Sequence, residues 1–309
     1  MTTVFIDGSA GTTGLRIWER LAARRDLELL SIPERLRKDD AARQDYLNRA
    51  DVAFLCLPDA AAKEAAEMVE NPATVVIDTS TAHRTEEGWT YGFPELAGQR
   101  ERIRNSKRIA NPGCHASGFI ALAAPLVEQG MLSSQAKLSC FSLTGYSGGG
   151  KKMIADYASR PDALSAPRMY GLGQNHKHLP EMKKLCGLTY EPVFCPIVSS
   201  FYSGMQVVIP LFASDLNGTP EDLRALYRRY YSGKIVRYIE GGDEGGFLSA
   251  GGRAGFDDMH ISVFGAGERI TLVSRFDNLG KGASGAAIQN MNLVLSLPED
   301  TGLTLEDTI

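Results

Sequence analysis

The first third of the chain alternates short apolar runs with helix-like segments, and this alternation restricts the fold more than any other feature. The runs "TVFID", "LELLSI", "VAFLCLP" and "TVVIDTS" are rich in Val, Ile, Leu and Phe. Strands that are apolar along their whole length are typical of a parallel sheet with helices on both faces. Helix-like stretches at 14–24, 40–48 and 59–69 lie between them. We therefore predict an α/β fold that begins with a Rossmann-like, doubly wound parallel sheet.

The sequence changes character after residue 130. Runs such as "KLSCFSLTGYS", "FCPIVSSFYSGMQVVIPLF" and "RITLVSRFDN" are β-rich and separated by turns, with a helix near 219–231. They predict a second, α+β domain with a largely antiparallel sheet. A helix from about residue 283 is expected to return to the first domain. We expect a first domain of 1–114, completed by about 283–309, and a second domain of 115–282.

Charge and cysteine content exclude several classes of protein. A net charge of −4 and a pI near 5.8 argue against a nucleic-acid surface, which needs clustered Lys and Arg. Five cysteines without a CxxC pair indicate reduced thiols. The sequence has neither a secretory leader pattern nor an apolar run near the roughly 20 residues that span a bilayer. We expect a cytoplasmic protein that binds neither nucleic acid nor membrane.

A glycine-rich turn follows the first predicted strand in "FIDGSAGTTGLRIWERL". The spacing is GxxGxxG rather than the more common GxGxxG. A strand, a glycine turn and a helix in this order form the place where a dinucleotide pyrophosphate meets a helix N-terminus. The alternative is a tight turn without a ligand. The predicted cofactor contacts of this turn are Gly8, Ser9, Gly11, Thr12, Thr13 and Gly14.

The segment "PERLRKDD" follows the second predicted strand and bears on the choice of cofactor. An acidic residue there, such as Glu34, would hold the ribose hydroxyls of NAD, whereas basic residues accept the additional phosphate of NADP. Arg35, Arg37 and Lys38 favour NADP(H). A solvated charged loop is the alternative.

One cysteine lies where a turn meets a helix, in "NPGCHASGFIALAAPLVEQG". The apolar spacing predicts a buried helix over 116–129, which Gly130 ends. Cys114 then lies at or just before a helix N-terminus, where backbone N–H groups and the helix dipole favour the reactive thiolate. The alternative is a small buried apolar residue.

Two histidines precede a proline in "YGLGQNHKHLPEMKKLCG". Pro180 suits the first turn of a short helix, so His176 and His178 lie at its entry. In an extended backbone, side chains two apart point the same way, and both would face one cleft. An acid/base role is favoured over a structural one. With Glu181 they also form HxHxxE, a less favoured metal-ligand set, and we predict no metal.

A second glycine-rich loop follows a later strand in "LTGYSGGGKKM". Glycine backbones present N–H groups to an anion and lysine adds positive charge, so this loop could hold a phosphate. A plain flexible connection is the alternative.

Several motifs together resemble the N-acetyl-gamma-glutamyl-phosphate reductase family, in its shorter second type. They are "DGSAGTTG", "IDTSTAHR", "YGFPEL", "NPGCHASG", "SGGGKK", "HKHLPE" and "DNLGKGASGAAIQNMNL". They occur in the same order as in that family, and the match extends over essentially the whole chain. Aspartate-semialdehyde dehydrogenase is similar in the glycine turn and the cysteine segment but lacks the last two motifs as a set.

The resemblance implies an NADPH-dependent reduction of N-acetyl-glutamyl 5-phosphate to the 5-semialdehyde and phosphate, in arginine biosynthesis. It implies that Cys114 is the nucleophile that forms a thioester and that His176 or His178 handles the proton. It also implies a homodimer or homotetramer assembled through the second domain. The further cofactor residues it implies are Ser80, Asn278, Lys281 and Gly282, and the substrate residues are Asn111, Ser147, Gly148, Lys151, Glu181 and Arg253.

One stretch departs from the family pattern. Relatives carry a basic residue ahead of "VFG", whereas this chain has Phe256, Asp257 and Asp258. We expect a carboxylate-binding role to have moved to Arg253. The alternatives are a related enzyme acting on another acyl phosphate, a dinucleotide-binding regulator without chemistry, and a zinc hydrolase built on the histidines.

Overall fold

The computed structural model describes residues 1–306, which form two compact units. The first contains Met1–Pro112 and Ala283–Leu303, and the second contains Gly113–Gly282 together with residues 304–306. The end of the described chain therefore lies in the second unit, not in the first as the sequence analysis expected. The reason is a pair of hydrogen bonds: the Asp257 N–H donates to the Thr304 carbonyl over 2.7 Å, and the Thr304 N–H donates to the Asp257 carboxylate over 2.9 Å.

The first unit is built on a six-stranded sheet. Its strands are β1 (Thr2–Asp7), β2 (Leu27–Leu30), β3 (Val52–Leu55), β4 (Val75–Asp78), β5 (Thr90–Tyr91) and β6 (Arg108–Ala110), in the order β2-β1-β3-β4-β6-β5. Every pairing is parallel, which confirms the predicted sheet. The strand order reverses beside β1, and ligands of such sheets bind at the carboxyl ends of the strands at that point.

Helices cover both faces of this sheet and explain its continuous apolar runs. They are α1 (Thr12–Ala22), α2 (Asp40–Arg49), α3 (Asp59–Glu67) and α4 (Gln99–Arg104). Val4 and Ile6 of β1 pack in one buried cluster with Ile17 of α1. Phe5 points to the opposite face and packs with Leu47 of α2. Because both faces are buried, the β1 positions from Val4 to Ile6 all favour an apolar side chain.

The second unit contains a seven-stranded sheet. Its strands are β7 (Ser139–Gly145), β8 (Arg168–Met169), β9 (Val193–Ser199), β10 (Met205–Phe212), β11 (Val236–Tyr238), β12 (Met259–Ala266) and β13 (Arg269–Phe276). The order is β11-β12-β13-β10-β7-β9-β8. Only β11–β12 and β7–β9 pair in parallel among the described strands, so the predicted largely antiparallel sheet is confirmed.

Four helices belong to this unit: α5 (Cys114–Glu128), α6 (Gly150–Ser159), α7 (Leu179–Leu185) and α8 (Pro220–Tyr230). Helix α5 packs on β10 and β13. Its Gly118 permits this approach, since an added Cβ would lie 2.4 Å from the Val207 Cγ2. Tyr227 and Tyr231 donate hydrogen bonds to carbonyls of α5 and fix the neighbouring helix. The cysteine at the start of α5 is therefore carried on a rigid element.

A π-helical turn, Gly280–Ser284, leads into the last helix, α9 (Gly285–Val294). Ile288, Met291 and Leu293 of α9 lie in the same core cluster as residues of β1 and α1, so α9 packs within the first unit. None of the helices within residues 1–306 has the length and apolar character needed to cross a membrane.

Candidate active site

The glycine turn after β1 has two sterically required glycines. Gly8 has φ +87°, and an added Cβ would lie 2.3 Å from the Cys56 carbonyl oxygen at the end of β3. At Gly14 an added Cβ would lie 2.5 Å from the Gly8 carbonyl oxygen. Gly11 caps α1 and has room for a side chain, with 3.4 Å to its nearest neighbour. The turn thus exposes the N-terminus of α1, where Thr12 and Thr13 form the first turn, to an anion.

A cavity of about 270 Å³ adjoins this turn within the first unit. Ser9, Arg37 and Lys38 line it together with Gly8, and Arg43 also borders it. The Arg43 guanidinium is bound to the buried Asp7 over 2.9 Å, whereas Arg37 lies 3.8 Å from the exposed carboxylate of Glu34. Arg37 and Lys38 are therefore the more accessible cations for an additional anionic group. Arg35 is exposed and is not one of the described residues that line the cavity. The donor set therefore fits a phosphorylated dinucleotide.

Ser80 and Asn111 are both bonded into the framework of the first unit. The Ser80 hydroxyl donates to Asp78 over 2.7 Å. The Asn111 side chain donates to the Ala283 carbonyl over 3.0 Å and accepts from Asn290 over 3.2 Å. Cofactor binding by Ser80 and substrate binding by Asn111 stay predictions, while the structure assigns both a role in bracing the strand ends.

Cys114 is the first residue of α5, and the helix begins two residues earlier than the sequence predicted. Gly113 is its N-cap, with extended φ and ψ angles of −77° and 145°. Cys114 therefore lies in the first turn of a 15-residue helix, a position at which the helix dipole favours the anionic form of a thiol. Gly282 lies directly against it: an added Cβ there would be 3.0 Å from the Cys114 Cβ. The half-buried Cys114 is thus enclosed on one side by the Gly282 backbone.

The two predicted histidines lie together, but not for the expected reason. His178 has φ −89° and ψ −10°, so its backbone is helical and the extended conformation considered from the sequence is wrong. The turn instead brings the ring centroids to 4.7 Å, and the His178 N–H donates to the His176 Nδ1 over 3.2 Å. Because Nδ1 of His176 is an acceptor, a neutral His176 carries its proton on Nε2.

Glu181 is fully buried on α7 and contacts the cysteine segment. Its Oε2 accepts a hydrogen bond from the Gly113 N–H over 3.2 Å. The HxHxxE motif does not gather its ligand atoms: within residues 1–306 the group of three side chains that converges is Asp258, His260 and Glu306. The zinc-site alternative for the histidines thus has no geometric support.

Three further residues join this site and were missed from the sequence. His115 lies buried beside Cys114, with Nδ1 2.7 Å from the Ser142 hydroxyl and Nε2 2.6 Å from the Tyr170 hydroxyl. Burial, together with the charge of His176, lowers the pKa of His115 to about 3. Burial and the neighbouring Cys114 raise the pKa of Tyr170. The signals were present: a histidine adjacent to the cysteine, and a tyrosine six residues before His176.

The second glycine loop joins with the segment after β13. The Asn278 side chain donates to the Ser147 hydroxyl over 3.0 Å, and the Gly148 backbone lies beside both. Lys151 is exposed in the first turn of α6, whereas Lys281 is fully buried in the π-helical turn. The structure thus groups Ser147, Gly148 and Asn278, and ligand binding by this set, by Lys151 and by Lys281 stays a prediction.

Arg253 does not present a free guanidinium for a substrate carboxylate. It is 4% exposed, forms a salt bridge with Asp258, lies 2.7 Å from Glu306 and stacks on Phe256 at 4.3 Å. Burial would raise the pKa of Asp258, but hydrogen bonds from His260 and Arg253 lower it to about 2. The expectation that Arg253 binds a substrate carboxylate is therefore corrected. Asp258, one of the residues that differ from the family pattern, is itself the salt-bridge partner of this arginine.

Comparison with known proteins identifies the family. The model "Semialdehyde dehydrogenase, NAD binding domain" matches residues 30–106, and "Semialdehyde dehydrogenase, dimerisation domain" matches residues 114–278. This chain belongs to the semialdehyde dehydrogenase family. The predicted dinucleotide-binding domain is confirmed by that match.

Within the semialdehyde dehydrogenases, the chain is similar to relatives named N-acetyl-gamma-glutamyl-phosphate reductase. Those from Brucella ovis and Brucella suis are each 47% identical over 304 residues, covering 94% of this chain and 98% of the relative. The resemblance read from the motifs is confirmed.

Solved structures of the family share the fold at low identity. Aspartate semialdehyde dehydrogenase II from Vibrio cholerae is 17% identical with a TM-score of 0.74, covering 96% of this chain and 98% of that one. The Candida albicans aspartate semialdehyde dehydrogenase with NADP is 15% identical with a TM-score of 0.68, covering 96% and 99%.

Proposed function

We propose that this chain reduces N-acetyl-L-glutamyl 5-phosphate to N-acetyl-L-glutamate 5-semialdehyde and inorganic phosphate, with NADPH, in arginine biosynthesis. The observation that carries the proposal is Cys114 at the start of a 15-residue helix, beside a cluster of three histidines. A thiol with this placement is an acyl acceptor. The 47% identity to relatives that carry this name supports the choice of acyl phosphate.

The chemistry divides between Cys114 and a histidine. The Cys114 thiolate attacks the acyl carbon, the new C–S bond forms, and the C–O bond to phosphate breaks as phosphate leaves. When bound, the reduced nicotinamide supplies the hydride that converts the thioester to a thiohemiacetal. The His176 Nε2–H donates a hydrogen bond that stabilises the thiohemiacetal oxyanion formed by hydride addition. As this oxyanion re-forms the carbonyl, the C–S bond breaks, the aldehyde leaves and the Cys114 thiolate is regenerated.

The first unit would hold the cofactor. The first turn of α1 receives the pyrophosphate, with Ser9, Thr12 and Thr13 beside it, and Arg37 and Lys38 receive the additional phosphate of NADP. Positive charge at a cavity next to the glycine turn supports NADP(H) over NAD.

The second unit would also form the oligomer, a homodimer or homotetramer. Phe141 pairs in register with Val208 and Cys195 on the adjacent strands, so these side chains share one face of the sheet. Phe141 and Val193 on that face are 43% and 56% exposed, and Phe212 is 58% exposed. An apolar sheet face of this kind, in a segment that matches a dimerisation domain, supports burial against a second copy. The cytoplasm is the proposed compartment, since all five cysteines are free thiols.

The test is phosphate-dependent reduction of NADP by N-acetylglutamate 5-semialdehyde, followed by nicotinamide absorbance. Wild type is expected to require phosphate. Cys114→Ser is expected to lose turnover, whereas Cys195→Ser, the matched change at another half-buried cysteine, retains it. Turnover with aspartate semialdehyde but not with N-acetylglutamate 5-semialdehyde would overturn the proposed substrate. The absence of turnover with either aldehyde, with cofactor binding retained, would favour a dinucleotide-binding regulator without chemistry.

A further inference from the structure

A histidine that has no part in the thioester chemistry lies in the loop after β4, at the carboxyl end of the parallel sheet. His83 is 7% exposed, and its ring stacks on Trp89 at a centroid distance of 3.9 Å and an interplanar angle of 10°. Its Nδ1 lies 2.7 Å from the carboxylate of Asp78, the last residue of β4. Because ligands of an open parallel sheet bind beyond the carboxyl ends of its strands, His83 lies at the edge that a dinucleotide occupies.

Asp78 determines which nitrogen of His83 carries a proton. This carboxylate is fully buried, and it accepts hydrogen bonds from the Ser80 hydroxyl over 2.7 Å and from the Ser80 N–H over 2.9 Å. A carboxylate has no proton to donate, so the His83 Nδ1 is the donor in the contact between the two side chains. In the neutral imidazole the other nitrogen, Nε2, is then an acceptor.

The hydroxyl groups of the same loop are already used within the protein. Thr79 donates to the carbonyl of the last residue of β3 over 3.0 Å, and Thr81 donates to the carboxylate of the first residue of α3. Ser80 donates to Asp78 and accepts the N–H of the residue two positions later over 3.1 Å. The His83 Nε2 has no partner within residues 1–306 and is not one of the buried unsatisfied polar atoms there, so it reaches the surface. From 79 to 83, it is the side-chain atom that remains open to a ligand.

The strand order assigns one half of the cofactor to this loop. Arg37 and Lys38 follow β2 and line the cavity beside the glycine turn, so in the proposed binding mode the phosphorylated adenosine half lies on the β2 side of β1. The pyrophosphate meets the N-terminus of α1. The nicotinamide half then continues to the other side, across β3 toward β4, which lies two strand spacings or about 10 Å from β1. That direction leads to the loop that carries His83.

We propose that the Nε2 of His83 accepts a hydrogen bond from the nicotinamide half of NADP(H). The donor is a hydroxyl of the nicotinamide ribose or the N–H of the carboxamide, which offer the same chemistry to the ring. His83 is thus a cofactor-binding residue, and Asp78 is a positioning residue that sets its tautomer. This inference rests on the proposed use of NADP(H) and deepens it, because it gives to His83 the contact that the family resemblance implied for Ser80.

Calorimetric titration of the full chain tests this contact without turnover. His83→Asn removes the acceptor at Nε2 but keeps an amide N–H close to the Nδ1 position for Asp78. NADP is expected to bind about fivefold more weakly, the effect of one lost hydrogen bond between neutral groups. Adenosine 2′,5′-bisphosphate, which has no nicotinamide half, is expected to bind wild type and variant equally. His83→Gln carries an acceptor about as far from the backbone as Nε2 and is expected to restore part of the NADP affinity.

A cofactor analogue distinguishes the two donors. The analogue 3-acetylpyridine adenine dinucleotide phosphate has an acetyl group in place of the carboxamide, so it lacks that N–H but retains the ribose hydroxyls. If His83→Asn also weakens binding of the analogue by about fivefold, the ribose supplies the donor. If the variant and wild type bind the analogue equally, the carboxamide supplies it. Either result, together with the selective loss of NADP affinity, supports the contact.

Three results would overturn the proposal. The first is equal NADP affinity of wild type and His83→Asn, and the second is an equal loss of affinity for NADP and for the bisphosphate. The third is a selective loss in Ser80→Ala without one in His83→Asn, because the contact would then belong to the serine. If His83→Asn does not fold, His83→Phe decides, since it keeps an aromatic ring on Trp89 and removes both nitrogens.

These outcomes also separate the contact from the proposed function. A wild-type enzyme that turns over with phosphate and NADP, alongside unchanged NADP affinity in His83→Asn, rejects the contact and keeps the function. A selective loss of NADP affinity in a chain without turnover on either aldehyde supports the contact and rejects the proposed reaction.

Discussion

The buried carboxylate of Glu181 accepts a hydrogen bond from the backbone N–H of Gly113, 3.2 Å away, directly before Cys114. Helix α7 thereby fixes the N-cap of the helix that carries the thiol. A contact between 113 and 181 couples the histidine loop to the cysteine turn, although 68 positions separate the two residues in the chain.

Replacing Glu181 separates its hydrogen-bonding role from its charge. Glu181→Ala leaves the Gly113 N–H without its buried acceptor and is expected to lower the free energy of unfolding by about 1–3 kcal/mol. Glu181→Gln retains an acceptor oxygen and is expected to lose less. Denaturant unfolding of both variants measures this; equal losses would show that the carboxylate charge, not the hydrogen bond, matters.

The contact between Gly282 and Cys114 predicts a steric effect on catalysis. Gly282→Ala places a methyl 3.0 Å from the Cys114 Cβ, so the cysteine must shift. We expect turnover to fall roughly tenfold to a hundredfold while the protein remains folded. Gly233→Ala is the matched control, because no atom lies within 4 Å of the added methyl. Equal activity of the two variants would show that the site tolerates the shift.

Two arginines in one short segment test the cofactor phosphate. Arg37 lines the cavity at the glycine turn, whereas Arg35 does not. Arg37→Ala is expected to raise the KM for NADP about tenfold with little effect on NAD, because a charge-assisted hydrogen bond is lost. Arg35→Ala is expected to change neither constant. Steady-state kinetics with both cofactors measures this, and a larger effect at Arg35 would place the phosphate elsewhere.

Because His115 is buried as the neutral form, we expect the free energy of unfolding to decrease in mild acid. Its pKa is about 3 in the native protein against 6.5 for the free side chain, so the unfolded state binds the proton more readily. Its contribution is complete above pH 6.5 and decreases toward pH 3, by about 2 kcal/mol between pH 6.5 and pH 5. Unfolding of wild type and His115→Phe at both pH values measures this. The variant is expected to lack that part of the pH dependence; identical slopes would contradict it.

The apolar face of the seven-stranded sheet that carries Phe141 and Val193 is expected to form the oligomer interface. Phe141→Glu and Val193→Glu place a charge on this apolar face and are expected to shift the oligomer toward monomer in light-scattering measurements. Phe247→Glu is the control, since Phe247 is 77% exposed and lies in a loop rather than in a strand. If only Phe247→Glu dissociates the oligomer, the interface lies at that loop and not on the sheet face.

The sequence was sufficient for the features that depend on local pattern. The apolar runs predicted the parallel sheet because Phe5 and its neighbours Val4 and Ile6 are buried on opposite faces. The "NPG" turn before an apolar helix correctly placed Cys114 at a helix start. These signals involve residues close together in the chain, where spacing and turn chemistry carry the information.

Contacts between distant segments were not accessible in the same way. Tyr170 reaches His115 across 55 positions, and that contact depends on β8 and β9 joining the sheet beside β7. Arg253 was expected to bind a substrate carboxylate. It instead forms salt bridges with Asp258 and with Glu306, and Glu306 is distant from it in the chain. His178 was considered in an extended backbone, and only the start of α7 makes it helical.

The return of α9 to the first unit has a consequence for the order of biosynthesis. Residues 1–112 leave the ribosome first, yet Ile288 and Met291, which complete their apolar core, are translated only after all of the second unit up to Gly282. The nascent N-terminal sheet must wait with part of that core uncovered, a state that chaperones recognise. The first unit, although its synthesis begins first, can therefore complete its apolar core only after nearly all of the second unit has been synthesised.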